Sequence, residues 1–371
     1  MTVRLASFNL ESLFDRAKAL NLKTWAEGKP ILEAVARLNE IFAKPVYSAA
    51  DKTEIVKALT KLGLLKKDDG GKFALLRQNH GKLLKRKASG SAEVVANGRG
   101  DWIGWVELKT EEVNEIATRN TAQVVRDVKA DVITTIEVDN RVALSRFNKQ
   151  LLPAVGSTPY PHVMVIDGND DRGIDVGIMS RFAIATMRSH VDDLVGGTPV
   201  FSRDCAEYEI RLPAGGSLVI LANHLKSKGF GSQTDSNARR LKQARRVREI
   251  YDGRKQEGAA LIAVVGDFND VPDSGPLAPL LAQGSDLRDV SAHPSFVGDG
   301  RPGTFGNGAK SEKFDYILLS PALFAKVQKA GVFRKGVWGG ANGTLWAIYP
   351  EMTAPIHAAS DHAAIWADLT L

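Results

Sequence analysis

The chain has 371 residues, 44% hydrophobic and 25% charged, with a formal net charge of +6 and a pI near 9.2. This is the balance of a soluble globular protein with one large domain or two, and it excludes a disordered chain; no run approaches the ~18 apolar residues of a membrane-spanning helix. One cysteine, Cys205, excludes an intrachain disulfide, and the basic excess favours a polyanionic partner such as nucleic acid.

The start, MTVRLASFNL, has neither a charged leader nor a long apolar core, so no intact signal peptide is expected. With the lone cysteine this points to a reducing compartment, the cytoplasm. Val3–Phe8 reads as a first strand stopping at Asn9. From 28 to 110 a separate pattern follows. Ile31, Leu32, Val35, Leu38, Ile41 and Phe42 form one helical face, and Ile55, Val56, Leu59 and Leu62 another, with Ser48 as N-cap of the second helix. Glu93–Val95 and Trp102–Leu108 flank Asn97-Gly98-Arg99-Gly100-Asp101 and read as a hairpin. Lys66, Lys67, Lys72, Arg77, Lys82, Lys85, Arg86 and Lys87 face only Asp68 and Asp69, and Trp102 and Trp105 follow. Two readings stay open for this basic run: a nucleic-acid arm with stacking aromatics, or a solvated face with both tryptophans in a local core.

Glu111–Lys129 then reads as an amphipathic helix and Asp131–Glu137 as a strand. Val163–Ile166, Val176–Ser180, Leu218–Leu225, Leu261–Gly266 and Phe314–Ser320 are further strands between Gly-, Pro- and Asp-rich turns. Helix Asn237–Tyr251 places Leu241, Ala244, Val247 and Tyr251 on one stripe and its cations on a solvated face.

Five polar motifs sit at the ends of apolar runs: Asn9 in SFNLES, Glu137 in DVITTIEVD, Asn223-His224 in LVILANHLKS, Asp267 and Asn269 in VVGDFND, and Ser360-Asp361-His362 in SDHAAIW. A run that stops at such a group reads as a buried strand delivering it to a sheet edge. Carboxylates, amides and imidazoles delivered together suit Mg²⁺ and a phosphodiester. No H-E-x-x-H, G-x-S-x-G or P-loop pattern is present, and the formal G-x-G-x-x-G at 298–303 follows no strand and contains Pro302.

In number and order these motifs, with Phe314-Asp315-Tyr316-Ile317, resemble the endonuclease/exonuclease/phosphatase superfamily, which includes pancreatic deoxyribonuclease. The resemblance runs from residue 3 to 367, interrupted by the extra region. It implies a four-layer α/β sandwich with two central mixed β-sheets, formed by 1–27 and 111–371, plus an inserted mainly helical subdomain with a β-hairpin at 28–110. It also implies metal ligation by Glu137, Asp361 and Asn9, with Mg²⁺ as the cofactor and Mn²⁺ as an alternative. Asp267 matches the acid that activates water and Asn269 its neighbouring amide. His362 is expected to pair with Asp315, and His224 with Asp175. Arg203, Asn223, Lys226 and Thr304 complete the expected substrate-binding set, with Lys228 a weaker phosphate contact; for Arg203 an ion pair with Asp204 is the plain alternative. The implied activity is Mg²⁺-dependent phosphodiester hydrolysis, foremost as a DNA nuclease. A phosphatase or phospholipid diesterase is the alternative, and a non-catalytic nucleic-acid-binding protein a second.

Overall fold

A computed structural model describes residues 1–22, 25–88, 90–170, 172–229 and 232–371. Two compact units form: 1–14, 113–228 and 232–371 make the first, and 15–112 essentially the second. Among the described residues no helix is long and apolar enough to cross a membrane.

The first unit is an α/β sandwich, as expected. Its seven-stranded sheet runs Phe296–Val297, Val327–Phe333, Ala364–Thr370, Thr2–Asn9, Val132–Val138, Asp175–Ser180, His162–Ile166. Its six-stranded sheet runs Ile184–Arg188, Cys205–Arg211, Ser217–His224, Ile262–Asp267, Asp315–Leu319, Arg288–Asp289. Leu5, Ile136 and Ile178 of one sheet share a buried core with Ala222, Val265 and Ile317 of the other, which is the sandwich interior. The opposite faces are covered by helices. Val124, Val125 and Val128 of Glu115–Val128 pack with Ala6 and Ile133, and Ala244, Val247 and Tyr251 of Gln233–Gln256 with Val219 and Val264.

Register gathers the polar strand ends. Thr2–Asn9 runs parallel to Val132–Val138, with Asn9 beside Ile136. Ser217–His224 runs parallel to Ile262–Asp267, with His224 opposite Asp267, and Asp267 in turn opposite Asp315 on the antiparallel Asp315–Leu319. Partners in one row share a face, so three titratable groups lie abreast at the end of the sandwich interior. Gly266 makes this row possible: its φ is 127°, and a Cβ there would sit 2.0 Å from the Asn223 carbonyl oxygen.

The second unit has its own core, in which Leu38, Ile55, Leu59, Trp102 and Val106 meet. Helices Trp25–Phe42 and Ala49–Lys61 follow the two apolar faces read from sequence. Ser48 caps the second helix, accepting from Asp51 N while the Asp51 carboxylate accepts from Ser48 N. The expected hairpin between 93–95 and 102–108 does not form. Trp102–Leu108 pairs instead with Ala74–Gly81, and Ala92–Val94 with Leu84–Arg86. The turn 97–101 exists, closed by Asn97 N donating to the Asp101 carboxylate, but it links strands of two different sheets. Each strand finds an earlier partner because Leu76, Leu84, Val94 and Trp102 all bury their side chains in one core.

Candidate active site

The centre of the site is Asp267. Its Oδ1 accepts from Asn269 N at 2.8 Å, and its Oδ2 from Asn269 Nδ2 at 3.1 Å and Asn9 Nδ2 at 3.2 Å. Asn269 takes a left-handed backbone, φ 54°, that an Asn tolerates, and this lets both its N–H groups reach back to Asp267. Two imidazoles flank the same oxygen: His224 Nε2 at 3.7 Å and His362 Nε2 at 3.8 Å. Burial first, offset in part by His362 and reinforced by Asp315, pushes the Asp267 carboxyl up to about 7.

His362 and Asp315 form a buried pair, with 2.8 Å between Nδ1 and Oδ2. The bond fixes the ring so that Nε2 faces Asp267. Burial opposes a charge on this ring, but Asp315, Asp267 and Asp361 together carry its pKa well above the ordinary value. Thr304, 1% exposed, supports the pair from behind, its Oγ1 accepting from Asp315 N at 2.9 Å and Phe314 N at 3.2 Å. Phe305 packs on the His362 ring at 4.9 Å.

Glu137 reaches the cluster through strained backbone. Strict alternation would turn it to the outer face, because Ile136 points inward. A φ of 61° breaks the alternation and brings Oε1 within 3.4 Å of Asn9 Nδ2 and 3.7 Å of His224 Nε2. Asn9 Oδ1 accepts from Glu11 N, Glu11 Oε2 accepts from Asp361 N, and Ser360 Oγ donates to the Asn9 carbonyl. This chain of bonds fixes the Asp361 backbone beside the first strand, while its side chain stays 44% exposed. Glu11, also at positive φ, was not singled out from sequence because it falls one residue past the apolar run.

Two expectations and one alternative are corrected. Asp175 does not pair with His224: its Oδ1 accepts from Gly168 N, while His224 Nδ1 has no hydrogen-bond partner among the described residues. Asp175 faces Asp167 and Asp170 instead, and burial, with those acids, pushes it up to about 7. His224, buried and near Arg203, is held well below its ordinary pKa. Asn223 is not delivered to the cluster, because strand alternation puts it on the face opposite His224, where its Nδ2 donates to the Leu221 carbonyl. Arg203 does not bond Asp204. It is 2% exposed and lies 3.0 Å from Asp170 Oδ2, with Nη1 donating to the Leu225 carbonyl.

Asp170, like Glu11, is an acid that sequence reading missed. It also receives Arg172 at 2.7 and 2.8 Å. Burial raises its pKa, yet the charges of Arg172 and Arg203 more than reverse this and hold it well below the carboxylate range. Lys226, half-buried near Arg203, Arg172 and Arg239, is lowered to about 7 by burial first and by those cations second. Lys228 instead pairs with Asp270 at 2.5 Å.

A buried arginine ties the two strand-end loops together. Arg240, 0% exposed, donates to Asp270 Oδ2 at 2.9 Å, to the Lys226 carbonyl, and to Asn237 Oδ1 at 2.6 Å. Gln243, one turn on, accepts from Lys226 N. The helix read as carrying solvated cations thus anchors the residues after His224 and after Asn269.

The residues present fit a hard divalent cation. Glu137, Asp361 and the Asn9 amide are oxygen donors, and the carboxylates of Glu137 and Asp361 are 22% and 44% exposed, within reach of solvent. Donor atoms of Asp267, Asp315 and His362 also lie within 4.8 Å of one another, although Asp315 and His362 are engaged with each other.

Comparisons with known proteins bear on the family and the fold. A sequence model described as "Endonuclease/Exonuclease/phosphatase family" matches residues 113–362. No curated protein matches the chain. Among solved structures, an endonuclease/exonuclease/phosphatase family protein from Bacteroides thetaiotaomicron has a TM-score of 0.51 at 19% identity, covering 80% of this chain and 94% of that one. A mannosyl-6-phosphatase from the same organism has a TM-score of 0.50 at 19% identity, covering 69% and 92%. At such identities the likeness is one of fold. The family match, which spans most of the chain and contains all the residues gathered here except Asn9 and Glu11, makes this protein a member of the endonuclease/exonuclease/phosphatase family, whose members hydrolyse phosphoester bonds and generally depend on a divalent metal.

Proposed function

We propose that the chain is a metal-dependent phosphodiesterase that cleaves nucleic acid, foremost DNA. The observation that carries the reading is the buried Asp315–His362 pair aimed at Asp267, itself held by three N–H donors from Asn9 and Asn269. Hydrolysis needs a base for water and a donor for the departing oxygen. Asp267 takes the water proton, with Asn269 and Asn9 fixing its carboxylate. His362 Nε2 gives a proton to the leaving oxygen, its orientation set by Asp315 as a carboxylate sets an imidazole in a catalytic triad. His224 offers Nε2 as a second ring beside the phosphoryl oxygens. Arg203 and Lys226 supply cationic neutralisation as negative charge grows there. Glu137, Asp361 and Asn9 would hold the cation, Mg²⁺ or Mn²⁺. When bound it polarises the phosphoryl oxygen and makes water more acidic.

The sandwich likeness to a mannosyl-6-phosphatase keeps a phosphomonoester substrate as the rival. Purified protein is to be incubated with supercoiled plasmid, linear DNA, RNA and a sugar phosphate, with Mg²⁺, Mn²⁺ or EDTA. Metal-dependent nicking that is lost by roughly a hundredfold or more in Asp267→Ala is expected. Turnover of the sugar phosphate alone would reject the nuclease.

A further inference from the structure

The net charge of the whole chain resides in one unit. Residues 15–112 hold 19 Lys and Arg against 13 Asp and Glu, a net +6, whereas the rest holds 30 against 30. Within that unit the strand Trp102–Leu108 alternates cleanly, with Trp102, Gly104 and Val106 buried and Ile103 and Trp105 exposed. Trp102 is 0% exposed, its ring edge-on to Phe42 and its Nε1 donating to Gln78. Core packing thus explains one indole and leaves the other: Trp105 is 46% exposed, and Ile103 38%. Large apolar groups on the outer face of a two-stranded sheet lose burial energy unless something covers them.

Around them the chain places cations. Arg77 lies opposite Trp105 in register, held in a two-point bond to Glu107 at 2.7 and 3.2 Å. His80 lies opposite Ile103. Lys72 and Lys82 stand at the two ends of the partner strand Ala74–Gly81; both are exposed and neither forms an ion pair among the described residues. At about 3.3 Å per residue, the eight-residue strand between them spans roughly 26 Å, the length of several nucleotides.

We infer that this outward face, with Trp105 at its centre and the exposed Lys72 and Lys82 just beyond the two ends of the partner strand, is a binding platform for single-stranded nucleic acid. The inference rests on the reading of the substrate as nucleic acid given above. Trp105 stacks on a base, and the flanking lysines meet phosphates. A duplex hides its base faces and so gains nothing from the indole. A polyanion without bases gains only from the lysines.

The test is fluorescence anisotropy of the full chain with labelled oligothymidylate in EDTA, which separates binding from cleavage, with heparin as a base-free competitor. Trp105→Ala is expected to weaken the oligonucleotide by about five- to a hundredfold and to leave heparin binding unchanged; Trp105→Phe restores most of the loss. Lys72→Gln with Lys82→Gln is expected to weaken both ligands and to flatten the salt slope for the oligonucleotide by about 1.4, from ~0.7 per phosphate. Unchanged oligonucleotide binding in Trp105→Ala, or an equal loss of heparin, overturns the platform. The two readings fail separately. Tight, Trp105-dependent binding without cleavage when Mg²⁺ is restored would reject the nuclease and keep the platform, whereas cleavage with Trp105-independent binding would do the reverse.

Discussion

In the catalytic unit acids and bases balance, 30 against 30, and the groups gathered at the strand ends are buried: Asp267 and Asp315 at 1% exposure, His224 at 2%, Arg203 at 2%. In residues 15–112 cations exceed acids by six, 19 against 13, and Lys72, Lys82, Lys85 and Lys87 stand in solvent. Charges act differently in these two settings. Buried charges interact strongly with few named partners, which suits proton transfer at one bond; exposed ones are screened and act as a field, which suits a long anionic ligand. The proposed division of labour assigns chemistry to the first unit and polymer capture to the second.

That contrast can be broken at its strong end first. Asp315→Asn keeps the shape but removes the acceptor charge that orients His362, and kcat is expected to fall by about 10²–10⁴ on a polymer and on a small diester alike. A loss on the polymer only would show that Asp315 serves capture rather than chemistry. Next is Arg240→Met, which leaves the buried Asp270 carboxylate with Lys228 and the Val271 N–H, both on Oδ1, and takes away the donor to Oδ2. A loss of about 3–5 kcal/mol in denaturant unfolding is expected, together with a fall in kcat, since the loops after His224 and Asn269 lose their common anchor. Full stability would mean that Lys228 suffices. The smallest effect belongs to the other unit: Ser48→Ala removes the cap of Ala49–Lys61 and is expected to cost about 1 kcal/mol in unfolding, with cleavage of a small diester untouched.

The sequence made the sandwich legible because apolar runs such as LVILA and VITTI are long, and a polar stop at the end of each is visible in one dimension. Register then did the rest, since parallel and antiparallel pairing brings His224, Asp267 and Asp315 into one row. What escaped were residues whose partners come from loops or from an atypical helix face. Asp170 sits in a Gly- and Asp-rich loop with no period to read. Arg240 is one of eight cations of helix Gln233–Gln256 and looks in sequence like the others, although it is wholly buried. Asn223 was open to correction from sequence alone, because it is adjacent to His224 on a strand and so faces the other way. In the second unit the turn at 97–101 was visible, but which strands it joined depended on Trp102 and Leu76 sharing a core, a non-local fact.

The most direct measurement is the salt dependence of kcat/KM for the wild-type chain on two substrates, single-stranded DNA and a small phosphodiester such as bis(p-nitrophenyl) phosphate. The division of labour predicts a steep fall with salt for the polymer and a nearly flat response for the small diester. Equal slopes for the two would contradict it, placing the polymer's recognition in the buried site and leaving the basic unit without a part in it.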